Sequence, residues 1–407
     1  MIQGVSRDLV DNSDSILLKV KNIQGIQGID FENVEFIGNA AASKKLIDGD
    51  ILSPFIGQAV RLLKFSMFHQ PPTNYDYFAD NNCGIIRSNP RKINRLFLLY
   101  ALRTNFVGSQ ILQLTGGGGV PFLGAGNAKK IQIPKVGEKQ QIILVEEMER
   151  ARETRRGKLA DADALLQSLD GWLLDVLGIA PPPADNRQTF AVRLSNIKKT
   201  ARLNSDYFHP ERILTIRAIE NLSGKLKIAP LWSIVNFIRV MRKTPATRYF
   251  GLASVQSNTG ELVEANEPAQ GGCLEFREND VLFARLRPYL NKVYRAESGG
   301  VCSPEFHVMR VINENQLNPD YLATILRSSL LLAQTRHMMT GNTHPRLTNE
   351  DVINLVIPIP APETQKIIAD EVLIRRQEAR RLRVEAEAEW QAAKDKFEAA
   401  LLGGGER

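Results

Sequence analysis

Forked cations beside an aromatic ring and an amide are the side chains that nucleic acids reward, and residues 285–292, Arg-Leu-Arg-Pro-Tyr-Leu-Asn-Lys, offer that set. Arg285 and Arg287, spaced i and i+2, would share one face of a strand and present two guanidinium groups for bidentate contact with guanine or phosphate. Tyr289 and Lys292 extend the patch. Residues 340–346, Thr-Gly-Asn-Thr-His-Pro-Arg, read as a polar loop in which Asn342, Thr343 and His344 lead to a basic end at Arg346. Such a loop can enter a groove or simply turn the chain. Its counterpart earlier in the chain, residues 115–121, Thr-Gly-Gly-Gly-Gly-Val-Pro, has no side chains to read bases. Lys44, Lys45, Arg61 and Lys64 are the expected contacts there. Any one of these cations could equally be pairing with a surface carboxylate.

Other chemistries lack their residues. A methyltransferase would need a glycine-rich cofactor loop and an (Asn/Asp/Ser)-Pro-Pro-(Tyr/Phe) tetrapeptide; the nearest strings, Gln70-Pro71-Pro72-Thr73 and Ser303-Pro304-Glu305-Phe306, both fail. No GxxxxGK[ST] phosphate loop is present, which leaves ATP hydrolysis unsupported. The histidines at 69, 209, 307, 337 and 344 show no metal or triad spacing, and Cys83, Cys273 and Cys302 form no CxxC pair. A non-catalytic chain without cofactor or metal is expected.

Two segments must position the candidate residues. From Glu138 to Gly178, about 40 residues run without proline, with apolar residues returning every three or four positions, and Pro181 to Pro183 follow. That predicts a long amphipathic helix. Glu363 to Leu402 has the same length and polarity and ends at a glycine run. At about 1.5 Å per residue each helix would span roughly 60 Å. The two are copies, since a shift of 225 aligns Glu138 with Glu363, Gln140 with Gln365 and Ile142-Ile143 with Ile367-Ile368. Shifts of 224 to 230 also pair Ile133-Pro134 with Ile357-Pro358, Leu102-Arg103 with Leu326-Arg327, and Asp50-Ile51-Leu52 with Asp280-Val281-Leu282. The chain is therefore a tandem repeat of a mixed domain followed by a long helix. Two helices of equal length most economically bury their stripes on each other, antiparallel, with pseudo-two-fold symmetry; the competing arrangement packs each on its own domain. Residues 248–256, 280–287 and 306–312 have the β-branched, alternating character of strands, and Leu17 to Val20 matches the first of them; residues 321–339 look helical.

The 407 residues include 43% apolar and 24% charged, the balance of a soluble globular protein. No long uncharged apolar run and no signal-like start appear, so a cytoplasmic chain with no membrane association is expected. The net charge of +7 is uneven: the two helical segments sum to −4 and the remainder to +11. Basic heads on an acidic rod point to a polyanion as partner.

A domain ending in Gly341-Asn-Thr-His-Pro-Arg-Leu347, then residues 355–368, Leu-Val-Ile-Pro-Ile-Pro-Ala-Pro-Glu-Thr-Gln-Lys-Ile-Ile, then a long helix, all duplicated, resembles the DNA specificity subunit of type I restriction-modification systems. Residues 280–289 and 303–306 look like that family's strand motifs, and Tyr207-Phe-His-Pro210 is similar to its domain-opening signature. The resemblance spans nearly the whole chain. It departs at Lys135-Val136-Gly137, where the second copy has Ile-Pro-Ala-Pro, and at the glycine run 116–119. The resemblance implies an α+β fold: a first target-recognition domain (1–136), a spacer helix (137–179), a second target-recognition domain (180–361), and a second spacer helix with its tail (362–407). The helices would form an antiparallel coiled coil, and each domain would read half of a bipartite, asymmetric site in double-stranded DNA. Two modification (methyltransferase) subunits, which carry the S-adenosylmethionine site, and restriction/translocase subunits are the implied partners. The rival readings are the recognition fragment of a fused methyltransferase-nuclease and a basic coiled-coil scaffold for RNA or protein.

Overall fold

The computed structural model describes the chain except residues 39, 116–118, 181, 183–188, 201, 202, 204, 243–248, 264, 266, 268, 270, 339–344 and 404–407. Two compact units are found, residues 1–159 with 383–407 and residues 160–382. These limits cut across the expected domain edges, because both long helices, Glu138–Leu177 and Pro362–Gly403, are divided between the units. Each unit is thus a mixed domain plus half of each helix. No helix among the described residues is long and apolar enough to cross a membrane.

In the first unit, two four-stranded sheets form. One orders Ile2–Gln3, Cys83–Ile86, Ile51–Pro54 and Ser66–Met67, all antiparallel; the other orders Leu9–Val10, Glu35–Ile37, Ser15–Leu18 and Asp76–Ala79, the last pair parallel. The second unit repeats the plan. Val235–Ile238, Phe306–Val311, Val281–Ala284 and Val293–Arg295 make an antiparallel sheet, and Met241–Arg242, Cys273–Phe276, Gly300–Cys302 and Tyr249–Phe250 make another that again ends in a parallel pair. A two-stranded addition, Lys227–Pro230 with Val356–Ile359, has no counterpart among the described residues of the first unit. Its partner strand comes from residues between the copies. The strand expected over 248–256 is shorter than its β-branched pattern suggested, since Leu252–Ser254 turn into a 3-10 helix. The helix expected over 321–339 is two, Pro319–Arg327 and Ser329–Thr335, because Ser328 adopts extended backbone, φ −65° and ψ 157°.

Matching hydrogen bonds give the repeat its register. Asp50 accepts from the Ile47 amide at 3.0 Å and from Arg87 Nε at 2.9 Å, while Asp280 accepts from the Arg277 amide at 2.8 Å and from Arg310 Nε at 2.7 Å. Both carboxylates are sealed from solvent, so the paired arginine removes the cost of burying a bare charge. Arg103 donates to the Phe65 carbonyl just before Ser66–Met67, and Arg327 to the Val293 carbonyl at the start of the equivalent strand. Burial holds the Arg327 guanidinium down to about 9, with Arg376 adding to the effect, and Arg103 down to about 10.

One sequence alignment is corrected. Gln141, not Gln140, is the partner of Gln365: Gln141 Oε1 accepts from the Asn94 amide at 2.9 Å and its Nε2 donates to Val136 at 2.8 Å, as Gln365 does to the Asn318 amide and to Pro360. Burial agrees, because Leu144 and Ile368 face the core whereas Ile143 and Ile367 are exposed. The helix register is therefore 224. Within the first unit the helices run antiparallel, with Lys158 bridging Glu385 at 3.1 Å and Glu389 at 2.7 Å, and Lys396 reaching Glu147 at 2.7 Å. In the second unit Arg375 lies 5.3 Å over the Trp172 ring and donates to Ser168 Oγ. The apolar stripes serve both expected arrangements at once. Leu173, Leu174, Leu177, Ile368 and Val372 join the core of the second domain, while Leu144, Met148, Trp390, Phe397 and Leu401 pack with Phe97 and Tyr100 of the first.

Candidate nucleic-acid interface

The strand carrying Val281–Ala284 stops one residue before the arginines. Arg285 still donates its amide to Glu305 O at 2.9 Å and its carbonyl accepts from Leu347 at 3.0 Å, Leu286 forms an isolated bridge with Arg346, and the Arg287 amide donates to Pro345 O at 2.8 Å. Arg287 is left-handed at φ 49°, and Pro288–Leu290 close the turn as a 3-10 helix. Arg285 and Arg287 therefore do not share a strand face, because the alternation rule ends with the extended backbone. A turn anchored on both flanks presents Arg287 and Tyr289 outward, Tyr289 being 46% exposed. Arg287 makes no ion pair among the described residues.

The remaining expected contacts divide. Arg346 faces this turn with its guanidinium against Glu305, Nε at 3.0 Å and Nη2 at 2.8 Å. That hydrogen-bonded pair holds the Glu305 carboxyl below its usual range. Lys292 is turned inward: Nζ donates to Leu252 O at 2.8 Å and burial lowers its pKa, so its role in the structure is to brace the fold. Asn342, Thr343 and His344 lie outside the described residues. In the first unit Lys44 donates to Gly4 O at 3.0 Å and Lys45 pairs with Asp76, whereas Arg61 is exposed at the end of the short helix Gln58–Arg61 and Lys64 is half-buried. Arg61 and Lys64 flank Leu63, held left-handed at φ 50°.

Equivalent bonds identify what the first unit carries at the place of the second unit's turn. Phe55 donates to Asn82 O and accepts from Leu123, Ile56 bridges Phe122, and Gly57 donates to Pro121 O. Phe55, Gly57, Phe122 and Asn82 thus stand where the second unit has Arg285, Arg287, Arg346 and Glu305. The cationic turn belongs to the second unit, a difference that the sequence alignment of the glycine run alone did not reveal.

Sequence spacing predicts no shared site for the histidines, and the fold brings two together. The His209 and His337 rings stack with centroids 3.5 Å apart and 13° between planes; His337 Nε2 lies 2.6 Å from Glu211 Oε2, and Arg336 pairs with the other oxygen at 3.0 Å. Ligand atoms of the three residues fall within 4.8 Å of one another. Nearly parallel imidazoles send their in-plane lone pairs side by side rather than to one point, and Arg336 already neutralises Glu211, which disfavours a cation. The cluster ties the start of Pro210–Glu220, capped by His209, to the end of Ser329–Thr335.

Residues 252–372 match the family model of the type I restriction modification DNA specificity domain. The search of curated proteins finds no match. Among solved structures, the HsdS subunit from Thermoanaerobacter tengcongensis is 16% identical, with 95% of this chain and 90% of that chain covered and a TM-score of 0.39. The type I restriction-modification S subunit from M. genitalium is 11% identical over 98% of this chain and 91% of that one, TM-score 0.40. A chain from a structure addressing complex assembly and conformational transition of the type I R-M system is 20% identical over 98% and 94%, TM-score 0.48. The matched segment 252–372 contains the anchored turn, Glu305 and Arg346, and it runs into the second long helix. Residues 252–372 of this chain therefore carry a type I restriction modification DNA specificity domain.

Proposed function

We propose that the second unit reads duplex DNA through the turn 285–290 and the facing Arg346, as the non-catalytic half-site reader of a type I restriction-modification complex. The observation that carries this is the anchored turn. Its backbone is tied to Glu305, Pro345 and Leu347, so Arg287 and Tyr289 project from a rigid base while Arg346 is pre-oriented by Glu305. Pre-organised guanidinium groups of this kind lose little entropy on meeting a base edge or phosphate. The first unit would read the other half of a bipartite site with different residues; of the four cations expected there, Lys44 and Lys45 are engaged by Gly4 and Asp76, which leaves Arg61 and Lys64. Methyltransferase subunits carrying the S-adenosylmethionine site, and restriction subunits, are the partners this reading requires.

Co-expression with a modification subunit, followed by single-molecule mapping of adenine methylation, tests it. The expected result is a bipartite methylated motif. A stable complex that leaves no motif would refute the reading role, and failure to form any complex would favour the scaffold reading.

A further inference from the structure

Beside the turn lies a cavity of about 250 Å³ whose polar wall is Arg239, Arg285, His307 and Asn349 and whose apolar wall includes Phe237 and Phe306. Two of its polar atoms are stranded. His307 is only 5% exposed and its Nε2 has no hydrogen-bond partner, and the buried Nε of Arg285 has none either. An unpartnered buried polar atom is destabilising, and folded proteins tolerate such atoms mainly where something else completes the bond.

The first unit shows how the same place is built without that cost. His307 pairs with Phe283 across the strands where Gly84 pairs with Ser53, and Arg285 holds the backbone position of Phe55. A Cβ on Gly84 would stand 2.3 Å from the Phe55 ring, so glycine there lets the ring fill the space. One copy closes the site with an apolar ring over a glycine; the other sets an arginine over a histidine and leaves a cavity with unmet donors. Packing alone favours the first solution.

We propose that this cavity receives one phosphate of the DNA backbone, held by Arg285, Arg239 and His307. This rests on the reading of the second unit as a DNA reader and adds to it an anchoring contact below the exposed turn. In the Nε2–H tautomer His307 donates one hydrogen bond, Arg285 donates through Nε, and Arg239 supplies a further positive charge; the apolar wall strengthens each by excluding water. Charged groups acting on His307 are Arg285 and Arg239, which lower its pKa, and Glu305, which raises it. A bound anion adds to the Glu305 side, so DNA affinity should rise as pH falls toward the His307 value of about 4.

The test exchanges the cavity residues for the first unit's own pair, Arg285→Phe with His307→Gly, in the full chain. Duplex binding is followed by fluorescence anisotropy against salt, and a conserved circular dichroism spectrum and melting temperature verify the fold. A phosphate contact predicts that the slope of log K against log[salt] falls by about 0.9 and that affinity drops by the same factor for matched and unmatched duplexes. A change confined to the matched duplex, or no change while wild type binds DNA, would overturn the phosphate site and leave the reading of the second unit intact. If wild type binds no duplex, inorganic phosphate serves as probe. Thermal protection of wild type but not of the variant would keep the anion site and reject DNA as its source; protection of neither would reject both.

Discussion

At the scale of single residues, His307 and Arg285 carry the clearest signature of function over stability. Burial, then Arg285 and Arg239, hold the His307 imidazole down to about 4 against an ordinary 6.5. A histidine held neutral in the fold contributes stability that is fully present above pH 6.5 and is lost as pH falls toward 4, because the unfolded chain takes up the proton first. The effect is on the order of 3 kcal/mol when complete. Thermal unfolding between pH 7.5 and 4.5 should therefore show a steeper fall for wild type than for His307→Phe, and parallel curves would contradict the neutral, buried state. In the sequence Glu305 and His307 are simply two residues apart. That the first pairs outward with Arg346 while the second is buried beside an unfilled cavity follows from packing that no spacing rule reports.

At the scale of elements, one glutamine at the start of each long helix joins that helix to its domain. Gln365, 1% exposed, accepts from the Asn318 amide at 2.8 Å and donates to Gln316 and Pro360, both at 2.9 Å, while the Asn318 side chain caps Pro319–Arg327. Gln365→Ala would strand a backbone N–H and two carbonyls, a loss of about 2–4 kcal/mol in chemical denaturation. Gln140→Ala, at an exposed position, should change stability by less than about 0.5 kcal/mol, whereas Gln141→Ala should resemble Gln365→Ala. Equal effects at 140 and 141 would reject the register of 224. The proline-Glu-x-Gln start of the second helix was legible as a motif; its register against the first copy was not. Residue identity favoured 225, and hydrogen bonding and burial decide for 224.

For the whole molecule, duplication followed by divergence is the central fact. Both units keep the clamped aspartates, the buried arginines and the capping asparagines, which are solutions to folding. They differ at the turn, where the first unit has Phe55, Gly57 and Phe122 in the places of Arg285, Arg287 and Arg346. Replacing Arg285 and Arg287 by Ala in the assembled complex should therefore relax one half of the methylated motif and leave the other half unchanged. Relaxation of both halves would mean that the units do not read independently. Global salt dependence should persist in that variant, since the charge outside the long helices sums to +11.

Elements whose pattern is local and periodic were legible from residue order. Two long amphipathic helices, the tandem repeat and the strands at 281–284 and 306–311 all follow from spacing, because a helix or strand face must be apolar wherever it is buried. The basic bias of the domains was legible in the same way, as a sum over residues. Tertiary structure alone decided which cations remain for a partner. Lys292 turns in to a carbonyl and Lys45 to an aspartate, Arg287 turns out on a left-handed backbone, and His209 meets His337 from distant positions. Charge and type are properties of a residue, whereas exposure and partnership belong to the packed chain, in which each cation's neighbours come from segments that periodicity does not relate.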